Sequence, residues 1–117
     1  MEKKQIVIFM ADDTFSGPFW DEEWVDIGDC EEIFLEEETI DVTSITELKS
    51  WYSHADEYDP FSAFCTFNPI GYDDWVLQGY HIAVKLRAML PSYVYLYYGY
   101  MHDFGDGKWR CCKVFIS

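Results

Sequence analysis

Apolar and polar positions recur along this chain with different periods, and each period marks an element. Gln5-Ile6-Val7-Ile8-Phe9-Met10 is a short β-branched apolar run, which predicts a buried strand. From Ala11 to Gly28, Gly17, Pro18 and many acids break every helical or strand period, so the stretch reads as loop. Ile33 to Val42 is ambiguous: Ile33 and Leu35, then Ile40 and Val42, suggest strand pieces broken by Glu36-Glu37-Glu38.

Ser44-Ile45-Thr46-Glu47 has the capping-box pattern, in which the serine and the glutamate each satisfy an orphan backbone amide at a helix start. Ile45, Leu48, Trp51, Tyr52 and Ala55 then fall at three- and four-residue spacing, the apolar face of a helix ending before Asp59-Pro60. Asn68-Pro69-Ile70-Gly71 is turn chemistry. A second helix opens on Asp73 and Asp74, where acids complement the N-terminal dipole. Its stripe is Trp75, Val76, Gly79, Ala83, Leu86 and Leu90, with Lys85 and Arg87 toward the C-terminal end and Pro91 closing it. Gly79 costs about 1 kcal/mol relative to alanine in a helix, which suggests close approach to another element.

Ser92 to Met101 predicts a strand with Val94, Leu96, Tyr98 and Tyr100 on one side and Tyr93, Tyr95, Tyr97 and Met101 on the other. Asp103-Phe104-Gly105-Asp106-Gly107-Lys108 reads as a hairpin loop, and Trp109 to Ile116 as the returning strand. These elements predict a small single α+β domain over residues 1–117. It is expected to have a mainly antiparallel sheet, two helices packed on one face and a C-terminal β-hairpin.

Charge changes the picture. The chain carries a formal −14, but residues 11–60 hold 17 acids and one base, Lys49, a local −16. The remaining residues balance at +2. Such acidity disfavours direct binding to nucleic acid or to an anionic membrane surface. No apolar run approaches the roughly 20 residues of a membrane span, and the N-terminal run is too short for a signal-peptide core, so a cytoplasmic protein is expected. Four cysteines without a regular framework fit reduced thiols.

Catalytic patterns are weak. His54, His81 and His102 match no zinc spacing, and neither a phosphate-binding loop nor a dinucleotide fingerprint is present. A site of His102 with Cys111 or Cys112, a pairing of Cys65 with a histidine, and Mg²⁺ on the acid runs each remain bare combinations. No cofactor, no metal and no catalytic residue are expected, and the chain is read as a non-enzyme.

The acidic segment interleaves its carboxylates with large aromatics. This suits a surface for a basic partner, in which charge speeds encounter and aromatics anchor it. The candidate partner-binding residues are Asp12, Asp13, Trp20, Asp21, Glu22, Glu23, Trp24, Asp26, Glu31, Glu32, Phe34, Glu36, Glu37 and Glu38. The bland alternative is a solvated face. The tyrosine strand admits two readings as well, a stacking platform or a half-buried face beneath the acidic loop.

One further pattern is Trp75-x-x-x-Gly79-x-x-x-Ala83-x-Lys85-Leu86-Arg87-x-x-Leu90-Pro91 followed by alternating tyrosines. Over about residues 44–100 it resembles small acidic bacterial immunity proteins, the partners of polymorphic or contact-dependent toxins. His81-Ile82 stands where that pattern has leucine, and Cys111-Cys112 is extra. The resemblance implies a protein that binds and occludes a basic cognate toxin, often a nuclease, with Trp20, Trp24 and Phe34 as anchors. The alternatives are a phage-type acidic DNA mimic that blocks a restriction or CRISPR effector, a small enzyme or metal-binding domain, and an adaptor kept soluble by its acids.

Overall fold

The computed structural model describes residues 4–11, 17–58, 70–103, 105 and 108–116. Seven strands form one sheet: β1 (Gln5–Phe9), β2 (Phe19–Trp20), β3 (Asp26–Gly28), β4 (Glu32–Phe34), β5 (Thr39–Asp41), β6 (Val94–Asp103) and β7 (Trp109–Phe115). Between β5 and β6 lie α1 (Glu47–Ser53), α2 (Ala55–Tyr58) and α3 (Tyr72–Met89). The strand order is β5-β4-β3-β2-β1-β6-β7. Every neighbouring pair is antiparallel except β1 and β6, which run parallel with Gln5 opposite Val94 and Phe9 opposite Tyr98. The α+β class, the mostly antiparallel sheet and the C-terminal hairpin agree with expectation. β1 lies inside the sheet and is buried on both faces at Val7, Ile8 and Phe9, which explains its unbroken apolar run.

Two local expectations are corrected. Residues 11–28 are not all loop, because β2 and β3 form a short hairpin there. It escaped notice because two- and three-residue strands cannot display a period. One of its core-facing positions is also Gly28, where a Cβ would meet Glu32 O, Ile33 Cα and the Phe19 ring. Ser44 does not cap the first helix: Thr46 occupies the cap position in helical geometry with no side-chain capping bond, and Ser44 Oγ lies 3.8 Å from Met89 Sδ. The ambiguous stretch resolves as the β4–β5 hairpin, its turn closed by the Leu35 amide donating to Glu38 O at 2.8 Å.

The helices cover one face of the sheet. Val7, Phe9, Phe19, Ile33, Leu96 and Tyr98 present their side chains there to Leu48, Trp51, Trp75, Ile82 and Leu86. Trp51 and Trp75 stack at 4.6 Å with planes 10° apart. Each indole N–H donates to the other residue's carbonyl, at 2.8 and 3.0 Å, so both rings are fixed and satisfied. Gly79 lets Tyr98 reach the helix, where its hydroxyl donates to Val76 O at 2.8 Å. At the far end of α3, Arg87 donates to the carbonyls of Leu90, Pro91 and Val94, tying the helix end to β6.

Candidate functional site

Strand alternation sends the other half of the side chains to the opposite face, which no described helix covers. Registers place Ile8 opposite Trp20 and Tyr97, and Ile6 opposite Tyr95. Tyr97 is paired with Phe115 and packs on it at 5.2 Å, and Tyr95 meets the same ring edge-on at 5.8 Å. None of these six residues except Phe115 is an exposed large apolar side chain, yet none belongs to the helix-side core.

The β2–β3 turn folds over this face. Asp21 Oδ1 accepts from the amides of Glu23 and Val25, at 2.8 and 2.9 Å, and so shapes the turn. Trp24 is held there at φ 63°, a left-handed conformation that a bulky residue rarely adopts. Its ring stands 6.2 Å from Trp20, lies 5.8 Å from Lys113 Nζ and remains 43% exposed. Trp20 is anchored by its indole N–H donating to Met10 O at 2.9 Å.

Beside the turn, β2 pairs with β1 only at Ile8 and Phe9, so the first half of β1 borders a concavity of about 550 Å³. Ile6, Ile27, Phe34 and Tyr95 give its apolar walls, and Asp21, Glu22, Glu23 and Glu36 its acidic ones. Lys4 also lines it and donates to the Tyr95 hydroxyl. With Nζ 4.7 Å from the ring centroid and bonded to that oxygen, the ammonium sits at the ring's rim rather than above its face.

The fourteen candidate residues therefore divide. Asp21, Glu22, Glu23, Phe34 and Glu36 meet at the concavity, with Trp20 and Trp24 on the same face. Glu32 shares a strand face with Phe34, while Glu31 sits in the β3–β4 turn at the far end of β4. Glu37 and Glu38 lie in the β4–β5 turn, where Glu38 accepts from the Tyr93 hydroxyl at 2.9 Å. Burial and that bond to Glu38 push the Tyr93 phenol up. Asp12 and Asp13 lie outside the described residues.

Aspartates and glutamates have different work in this segment. Asp21, Asp26, Asp29 and Asp41 each accept from the amide two residues onward, at 2.8 to 3.0 Å. The aspartate side chain is short enough to close such a turn on its own backbone. Asp26 also accepts from the Gly17 amide at 3.1 Å, so both its oxygens hold the hairpin together. The Asp41 carboxyl is held below its ordinary value by its bonds from Thr43. Glu22 and Glu23, in contrast, form no ion pair among the described residues. These four aspartates shape turns, whereas Glu22 and Glu23 carry charge to the surface.

The sequence did not nominate Lys4, Ile6, Ile27 or Tyr95 as site residues. Ile6 and Tyr95 could have been found as the outward positions of two strands whose alternate residues form the core.

A second concavity, about 800 Å³, opens between α1–α2 and α3 above the Trp51–Trp75 stack. Its polar groups are already partnered in part: Glu47 pairs with Lys85, and His54 Nδ1 lies 2.6 Å from Glu57 Oε2. The hydrogen bond from Lys85 is the main cause holding the Glu47 carboxyl below its ordinary value. No group of three or more His, Cys, Asp or Glu suited to a metal ion occurs among the described residues. Burial and Asp29 push the half-buried Cys30 thiol up to about 11, away from the thiolate a nucleophile needs. No described helix is long and apolar enough to cross a membrane. Comparison with protein-family models, curated proteins and solved structures gives no match in any of the three.

Proposed function

We propose that this protein is an inhibitory binding protein of the immunity type, which occludes a basic cognate toxin domain with the helix-free face of its sheet. The observation that supports it is the meeting of exposed aromatics with glutamates on that face, of which Glu22 and Glu23 form no ion pair among the described residues. Trp24 and Phe34, 43% and 50% exposed, flank Glu22, Glu23 and Glu36. Aromatic anchors desolvated at the centre supply affinity, and surrounding charge steers the encounter. The mechanism is stoichiometric: carboxylates cover the lysines and arginines the partner would present to nucleic acid.

The test is affinity capture from the native host on the full chain, followed by association kinetics with the captured protein. Wild type is compared with Glu22→Lys/Glu23→Lys and with Trp24→Ala. The expected result is one basic protein, whose on-rate falls about tenfold in the charge-reversed variant at low salt. Trp24→Ala should mainly raise the off-rate. Binding that is indifferent to these changes and to salt overturns the proposal. Capture of a large nucleic-acid-processing complex overturns it in favour of a DNA mimic.

A further inference from the structure

Resting on the reading of the helix-free face as a partner surface, the geometry points to a specific receptor within it. We propose that the 550 Å³ concavity beside the β2–β3 turn receives one arginine side chain of the partner. Its construction fits both halves of that side chain. Ile6 and Ile27 offer aliphatic wall to the three-carbon stem, and Phe34 and Tyr95 offer aromatic faces to a planar guanidinium. Glu22, Glu23 and Glu36 line the same space, and the first two have no ion pair among the described residues. A carboxylate can take a guanidinium through two parallel hydrogen bonds, which an ammonium cannot reproduce.

The chain supplies its own evidence that this site accepts a cation. Lys4, one of eight basic residues in the chain, places its ammonium on the Tyr95 hydroxyl at the edge of the cavity. Its position beside the hydroxyl leaves the Tyr95 face uncovered by it. Lys4 is thus an internal competitor at the mouth, and an incoming arginine displaces it or shares the site against its charge.

The experiment titrates the full chain with N-acetyl-arginine amide, following the methyl resonances of Ile6 and Ile27. N-acetyl-citrulline amide, equal in shape and neutral, serves as control. Saturable shifts with arginine that are at least about fivefold weaker with citrulline are expected, because the carboxylates act only on the charged form. Lys4→Met should tighten arginine binding about threefold, and Glu22→Gln/Glu23→Gln should weaken it by a similar factor. Equal shifts with both ligands, none with arginine, or an unchanged affinity in Lys4→Met overturns the receptor.

Filling the cavity with Ile27→Trp separates this inference from the function it rests on. Loss of both arginine and partner binding, with the fold retained by circular dichroism, supports the receptor as part of the interface. A partner that binds Ile27→Trp as tightly as wild type refutes the receptor and leaves the inhibitory function standing. Arginine binding without any basic partner refutes the function instead.

Discussion

Replacing Gly79 with alanine tests whether the closure of the helix side is understood. In an exposed helix this change stabilises by about 1 kcal/mol, because alanine has the higher helix propensity. Here a Cβ at residue 79 would lie 2.8 Å from Tyr98 Cζ and closer still to Tyr98 Oη and Trp51 Cζ2. Neither ring can yield easily. Tyr98 is 1% exposed and holds Val76 O, and Trp51 is fixed by the reciprocal bonds with Trp75. Overpacking costs about 1–3 kcal/mol, and displacing the Tyr98 hydroxyl loses about 1 kcal/mol more. Set against the propensity gain, the net is a loss of about 1–3 kcal/mol. For a chain of this size that lowers Tm by about 4–12 °C. Urea and thermal unfolding of Gly79→Ala, Tyr98→Phe and the double variant provide the assay. The cost of the alanine should fall by about 1 kcal/mol in the Tyr98→Phe background, since the hydroxyl is one of the two close contacts. A Gly79→Ala protein more stable than wild type, or strict additivity of the two changes, would refute this reasoning.

Other expectations are quicker to check. Trp24→Gly should stabilise the chain by about 1 kcal/mol, since glycine adopts φ 63° without strain. The same change should weaken partner binding, and destabilisation in urea would argue that Trp24 is a packing residue only. Asp26→Ala should cost about 1–2 kcal/mol because its two oxygens serve two amides, whereas Glu22→Gln should leave the urea midpoint unmoved. At pH 8 Cys30 should react with iodoacetamide about a hundredfold more slowly than an ordinary thiol, its pKa standing at about 11 against 9.0. Peptide mapping at fixed times would show equal rates if the burial is misread. Because the Glu47 carboxyl is held below its ordinary 4.5, its ionised form favours folding. That contribution is full above about pH 4.5 and fades as the pH falls through the lowered value. Wild type should therefore exceed Glu47→Gln in Tm at pH 7, and the difference should shrink as the pH falls below 4.5.

What the sequence disclosed follows the length of its elements. α3 and β6 carry enough residues to show a period and β1 is an unbroken apolar run, and the buried positions Val7, Phe9, Trp75, Leu86, Val94 and Leu96 fall where these put them. The stripe of α3 is wider than the pattern suggested, since Tyr72 and Ile82 are buried too. β2 and β3 could not be found this way. The bulge between Phe19 and Trp20, opposite Gly28 and Asp26, shifts the alternation within two residues. The candidate site was legible in half: its acids and aromatics sit in one segment, but Ile6 and Tyr95 join it from strands far away in sequence. Nor did residue type alone separate working acids from displayed ones. Asp26 and Glu22 carry the same charge, and only backbone geometry shows that one is tied to two amides and the other to none among the described residues.

That division bears on how an acidic surface can coexist with a defined hairpin. A run such as Asp21-Glu22-Glu23 repels itself, and repulsion favours an open chain. Asp21 opposes this by accepting two amides, a bond type that strengthens when the acceptor is charged. Its neighbours then project from a turn already shaped, together with Trp24 in a conformation the chain would not choose on its own. The two sides of the sheet thus follow opposite rules. On the helix side Trp51, Trp75 and Tyr98 are packed and bonded. On the other side the Trp24 and Phe34 rings stay exposed, and Glu22 and Glu23 form no ion pair among the described residues. In the proposed function the exposed Trp24 and Phe34 rings belong to the binding surface, and the packed helix side is its support. If the helix-free face were only a solvated side, Trp24→Ala and Glu22→Lys would change nothing but stability.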